Sequence, residues 1–228
     1  MKTINQTFDP LKMTLYLDYI NGWVYDEGES GFHKSLTTQV VQTYIDPLNL
    51  PKDARILDLG CGPGYFMDEI KEREYTNYLG ITLSDGDIAL CRSKGHPTEG
   101  YDLTFLPQQD GFIDESVDLI FLRHALEHSP FPIISLIEYN RLLKSGGKLY
   151  IEVPAPDNDR VHEYNLNHYS IFGQTQLIAL LQRTGFTIDT FNTIEFDLNL
   201  SSDPENPKVA REKYYCIMAT KKMGLDIR

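Results

Sequence analysis

Two histidines, a glutamate and two asparagines fall within residues 162–170, HEYNLNHYS. Groups of these types can ligate a metal, move a proton as general acid or base, or hydrogen-bond among themselves in a polar loop. A second histidine pair, His124 and His128, stands at i, i+4 in HALEH. A third feature offers backbone rather than side chains: residues 58–64, DLGCGPG. Glycine lets the chain turn tightly and lets a ligand approach without meeting a Cβ, and the helix that follows offers free N–H groups. An acid followed by three alternating glycines exceeds what a steric turn requires. The spacing is GxGxG, not the GxGxxG of dinucleotide sites, and Tyr65 stands where the third glycine would fall, which disfavours a nicotinamide oxidoreductase.

These groups need elements to position them. RILDLG is an apolar run ending in glycine, the pattern of a buried strand, and YFMDEIKERE reads as the helix after it. NYLGITL is a second strand. Ser84 and Asp87, at capping-box spacing, start the next helix. LTFL is expected as a third strand and VDLIFL as a fourth. FPIISLIEYNRLL has helical spacing and ends in KSGG, where Gly146 or Gly147 is expected as C-cap. KLYIEVP is a fifth strand, TQLIALLQRTGF a helix, and TIDTFNTIEF and YYCIMATK two strands expected to pair antiparallel. Their link, LNLSSDPENPKVAREK, is expected as a surface loop. The alternation implies an α/β doubly wound, mostly parallel sheet with helices on both faces. Residues 1–50 lie outside this pattern and carry Tyr16, Tyr19, Trp23, Tyr25, Phe32 and His33. They are expected as an N-terminal helical segment, 1–50, on a domain of residues 51–228.

The chain has 228 residues, 41% hydrophobic and 24% charged, with a net charge of −12, which suits one folded domain with a lid. The negative balance argues against nucleic acid and anionic membranes as partners. No apolar stretch has the length of a membrane span and no secretory leader is expected. Cys61, Cys91 and Cys216 form no CxxC pair, so a reduced, cytoplasmic setting is expected.

ILDLGCGPGYF resembles the first motif of class I S-adenosylmethionine-dependent methyltransferases, in their type 11-like branch. FIDESVDLIFLRHALEH resembles the family's fourth strand and the "LEH" after it. EYNRLLKSGGKLYIEVP resembles its helix, "LKPGG" turn and fifth strand, with Ser145 where proline is commonest; TGF and YYCIMATK also fit. The resemblance covers about 50–222. It implies a Rossmann-like seven-stranded sheet in the order 3-2-1-4-5-7-6, with strand 7 antiparallel, and S-adenosylmethionine as cofactor with S-adenosylhomocysteine as product. It also implies that Asp58 holds the cofactor's amino group, while Gly60, Cys61 and Gly62 line its methionine part. Asp110 would meet the adenine amino group, with Gly111 or Phe112 against the ring, and Arg123 and His124 would lie beside the sulfonium. The family usually has an acid at the end of strand 2; here Thr82, followed by Leu83, takes that place, and Asp85 and Asp87 look like first-turn helix residues. The segment before strand 1 implies a lid over the cofactor, with His33 toward the acceptor.

In this architecture HEYNLNHYS lies on the rim formed by the carboxyl ends of the strands, beside His124 and facing the N-terminal aromatics. There His162, Glu163 and Asn167 are expected to bind the acceptor and His168 to act as base, with His124 as a further substrate-facing group. His128 is expected to pack, and Glu127 to face solvent. His162, Glu163 and His168 could supply three metal ligands, but their spacing matches no metal motif and no metal is expected. The function expected is methyl transfer to a small-molecule or compact polar acceptor. The alternative is a cofactor-binding module without turnover, favoured only by the missing strand-2 acid.

Overall fold

A computed structural model describes residues 10–156, 158–199, 201 and 208–222. Seven strands form one sheet: β1 (Ile56–Leu59), β2 (Tyr78–Ile81), β3 (Thr98–Glu99), β4 (Val117–Arg123), β5 (Leu143–Pro154), β6 (Phe186–Asn199) and β7 (Val209–Lys221). Their order is β3-β2-β1-β4-β5-β7-β6. The first five run parallel, while β7 is antiparallel to both β5 and β6. The expected sheet order is the one observed.

Among the described residues six α-helices surround it: α1 (Pro10–Asn21), α2 (Gly31–Val40), α3 (Tyr65–Glu72), α4 (Asp85–Ser93), α5 (Pro132–Leu142) and α6 (Gln174–Arg183). Local chemistry sets their ends. The Ser84 hydroxyl accepts from Asp87 N at 2.9 Å and caps α4. Pro132 opens α5, where its missing N–H costs nothing. Every residue of β1 is buried, as a strand covered on both faces requires. Across that core Phe66 of α3 stacks on Phe121 of β4 at 3.8 Å, and Phe121 on Tyr150 of β5 at 5.0 Å.

Three expectations need correction. The third strand is Thr98–Glu99, not LTFL, which turns instead: Asp102 Oδ1 accepts from Thr104 N at 2.8 Å, and Leu106 is buried in the core. Glycine does not cap α5. Leu143 passes straight into β5, and Gly146, at φ +80°, sits in an irregular start of that strand, where the β4–β5 register shifts. The expected loop after β6 is shorter than drawn: both strands run into it, to Asn199 and from Val209, and residues 200 and 202–207 lie outside the described residues. The N-terminal segment also divides. Val40, Val41 and Ile45 are buried against the sheet core, so α2 and the turns after it are part of the domain. Residues 10–30 lie across the strand ends. Among the described residues no helix is long and apolar enough to cross a membrane.

Candidate functional site

β1 ends in a buried acid, Asp58, and then in Gly60 and Gly62, at φ +78° and +46°. A Cβ on Gly60 would stand 2.5 Å from the Ala125 Cβ, and one on Gly62 2.8 Å from Glu27 Oε2. Bare backbone is therefore a steric requirement at Gly60, while at Gly62 the positive φ favours glycine and the flexible end of Glu27 rests over it. The strap formed by residues 24–30 crosses this loop and is tied on the far side. Asp26 Oδ1 accepts from the Ser84 hydroxyl at 2.7 Å and from Gly86 N at 3.2 Å. Glu27 N donates to Asp87 Oδ2 at 3.2 Å, Ser30 N donates to the Tyr65 hydroxyl, and Lys94 pairs with Glu29 at 2.9 Å. The strap divides the cleft into two cavities that share Tyr25, Glu27, Gly60, His124 and His128.

The first cavity, about 140 Å³, is lined in part by Trp23, Thr82, Leu83, Asp87, Tyr101, Asp102 and Leu103. Asp102 also accepts from the Tyr16 hydroxyl of α1 at 3.0 Å. Asp110, Gly111 and Phe112 are not there. Asp110 and Gly111 form a turn before β4, the Gly111 carbonyl accepts from Arg55 Nη2 at 2.6 Å, and Phe112 is buried in the core edge-on to Tyr101. Asp102 and Asp87 hold the positions inside the cavity. Capping geometry makes Asp87 look purely local, although the turn that caps α4 also aims its carboxylate at the strap.

The second cavity, about 290 Å³, is polar. It is lined by Asp58, Cys61, Arg123, His124, Glu127, His128, His33, His162, Asn165 and His168, among others. Asp58 is 4% exposed and its Oδ2 has no partner. Burial, then the nearby Cys91 and Glu27, raise its carboxyl well above the ordinary carboxylate range. His124 holds φ +51°, uncommon outside glycine, at the end of β4. Its Nε2 lies 3.0 Å from Glu152 Oε1 and its Nδ1 3.5 Å from Glu127 Oε1; Arg123 Nε reaches the same Glu152 oxygen at 2.9 Å. Burial and Arg123 oppose a charge on His124, but the two carboxylates win and lift it to about 9. Glu152 is buried too, yet His124 and Arg123 bring it down to about 2. A histidine held charged at neutral pH cannot accept a proton there, so His124 serves as a charge partner of Glu152 and Glu127 at the end of β4. Glu127 does not face solvent: it is 1% exposed.

The rim loop folds onto this cavity. Tyr169 N and Ser170 N both donate to the Glu127 carbonyl, at 2.7 and 3.1 Å, and the Ser170 hydroxyl donates to the Ser129 carbonyl at 2.6 Å. His168 is half-buried, stacks on His162 at 5.4 Å and meets His128 edge-on at 4.9 Å. Burial, aided by His128 and His162, lowers it to about 4, so its ring is neutral at pH 7. His162 pairs through Nε2 with the buried Glu212 at 2.9 Å. Asn167 is buried and lines the first cavity. Glu163 is exposed and lines neither. His33 stands at the mouth, its ring 6.3 Å from that of His124. Sequence reasoning missed Glu27, Asp87 and Asp102 as cavity residues. Their signal was position relative to strand ends, which only the correct third strand supplies.

Residues 34–190 match the family described as "Methyltransferase domain". The chain is 23% identical over 174 residues to the 27-O-demethylrifamycin SV methyltransferase of Amycolatopsis mediterranei, covering 71% of this chain and 64% of that one. It is 29% identical over 116 residues to a highly reducing polyketide synthase of Purpureocillium lilacinum, covering 45% of this chain and 5% of that one. The chain thus spans less than two thirds of the length of either relative. Among solved structures, a SAM-dependent methyltransferase from Archaeoglobus fulgidus superposes with a TM-score of 0.63 at 19% identity, covering 90% of this chain and 99% of that one.

Proposed function

Because the chain belongs to the S-adenosylmethionine-dependent methyltransferase family, we propose that it moves a methyl group from that cofactor to a small polar acceptor held in the histidine-lined cavity. One observation carries the cofactor's placement: the buried Asp58 Oδ2 has no partner, and Asp58 lines the same cavity as Gly60 and Cys61. A buried carboxylate without a donor is costly, and an ammonium group is the donor it lacks. Gly60, Cys61 and Gly62 hold the methionine part. Thr82, Leu83 and Asp87 grip the ribose, with Asp87 in place of the missing strand-2 acid, and Asp102 with Tyr101 and Leu103 holds the adenine. When bound, the cofactor supplies an electrophilic methyl group.

The chain's own task is to align the acceptor and keep water out. The strap covers the glycine loop. Arg123, His124 and Glu152 form a fixed charge network at the end of β4, and His128, His162, Asn165 and His168 give the acceptor hydrogen-bonding groups. The small-molecule acceptor is supported by the confined cavity and by the name of the rifamycin relative. Calorimetry with S-adenosylhomocysteine tests the reading. The wild type binds it and does not bind NADH, and Gly62→Val does not bind it while keeping the fold. Equal binding by Gly62→Val removes the assignment. Methyl transfer to compounds of a metabolite pool separates an enzyme from a binding module. His168→Ala lowers that turnover far more than cofactor affinity.

A further inference from the structure

We propose that Glu127, His128 and His168 form a site for a divalent transition-metal ion, whose open positions take an oxygen of the methyl acceptor. One ligand atom from each residue lies within 4.8 Å of the others. In a tetrahedral shell, ligands each ~2.1 Å from one ion stand about 3.4 Å apart, so closure draws the side chains together by up to about an ångström and a half. The three come from two segments already locked together by the bonds to the Glu127 and Ser129 carbonyls.

The hydrogen bonds orient the rings as ligands. His128 Nδ1 donates to the Asn167 carbonyl at 2.9 Å, and His168 Nδ1 to the His162 carbonyl at 3.0 Å. Histidines that ligate metals characteristically donate their other nitrogen to such a group, which fixes the tautomer. Both Nε2 atoms then carry lone pairs. The exposed Asn165 amide, 3.2 Å from His168 Nε2, donates to that lone pair and is the contact an ion displaces. Glu127 Oε2 is buried without a partner, while Oε1 faces His124 Nδ1 at 3.5 Å. One oxygen is thus held from behind and the other is unused.

Two imidazoles and one carboxylate suit Zn²⁺, Mn²⁺, Fe²⁺ or Co²⁺ rather than Mg²⁺ or Ca²⁺. Three protein ligands leave positions for water or substrate oxygen. The acceptor's class is then a hydroxyl or carboxyl compound. In this arrangement His168 is a ligand, which replaces the role of base expected from its sequence context. The link to the acceptor rests on the methyl-transfer reading; the metal site does not.

The test uses the untagged full chain, stripped with chelator and titrated with Co²⁺ by visible absorption, then with Zn²⁺ and Mg²⁺ by calorimetry. A single Co²⁺ binds per chain with the absorption of low coordination, Zn²⁺ displaces it, and Mg²⁺ does not. His168→Ala and Glu127→Gln each weaken Co²⁺ binding at least about tenfold, the scale of losing even an outer partner of a ligand. S-adenosylhomocysteine binding by these variants reports that the fold is kept. If the buried Glu127→Gln does not fold, His168→Ala on the rim decides. Absence of Co²⁺ binding at millimolar concentration, or unchanged binding in His168→Ala, overturns the site. Metal binding by a chain that fails to bind S-adenosylhomocysteine leaves the site standing and removes the methyl-transfer reading.

Discussion

Asp58 couples the proposed cofactor site to stability. Its carboxyl is raised above its ordinary 3.8 by burial first and by Cys91 and Glu27 next. The folded chain therefore holds that proton to higher pH than the unfolded one, and this group's contribution to stability falls as pH rises from 3.8 through the folded value. Asp58→Asn removes the penalty, so it raises the melting temperature at neutral pH while weakening S-adenosylhomocysteine binding by roughly 1.5–3 kcal/mol, the scale of a hydrogen bond to a charged group. An ammonium partner favours the ionised form, so binding by the wild type releases a proton and tightens as pH rises. Calorimetry in two buffers of different ionisation enthalpy measures that proton, and Asp58→Asn loses it. At the other end of the cleft, Asp102→Ala weakens the same binding, while Asp110→Ala, which reaches the cavity only through its hydrogen bond to Tyr101, weakens it less. The family resemblance pointed to Asp110, which lies in a turn just ahead of β4, while Asp102 opens the earlier turn that replaces the expected third strand. Glu127 misled for a related reason. A charged residue in a short loop is usually solvated; the rim loop that closes over Glu127, with Tyr169 N and Ser170 N on its carbonyl, is distant in sequence.

Among elements, those whose local and tertiary preferences agree were legible. β1, β4 and the second half of β5, from Leu149 on, are largely apolar runs buried on both faces, and Ser84 caps α4 as its spacing indicates. LTFL failed because β-prone residues there are recruited by the core as a turn, with Leu106 inside and Asp102 tying the backbone. KSGG failed because the glycines serve the irregular start of β5, where a Cβ on Gly147 would come within 2.9 Å of the Lys144 carbonyl. The N-terminal segment was legible only as an excess of aromatics. The chain's one tryptophan, Trp23, stands immediately before the strap, is 40% exposed and lines the first cavity. Titration with S-adenosylhomocysteine therefore changes the intrinsic fluorescence saturably, with the same midpoint as calorimetry. A flat signal means that the cofactor does not occupy the cavity lined by Trp23.

Over the whole molecule, one sheet joins everything from α2 to β7, and the fold's cooperativity runs through its middle. Ile217 of β7 is fully buried and is paired with Ile151 of β5 on one side and Phe191 of β6 on the other. Ile217→Ala costs about 2–5 kcal/mol, read as a lower denaturant midpoint with a single transition by both circular dichroism and fluorescence. Two separate transitions would mean that β6 and β7 unfold apart from the parallel strands. The strand order has a further consequence in time. β7 is last in chain order among the described strands but sits between β5 and β6. While the polypeptide emerges from the ribosome, residues 143–154 and 186–199 are synthesised without the neighbour that joins them. Each then presents an open edge, and β5 is an apolar one, a ready template for pairing with another chain. Slow translation between residues 154 and 209 prolongs that exposure, so the yield of folded protein depends on how quickly the segment carrying β7 follows.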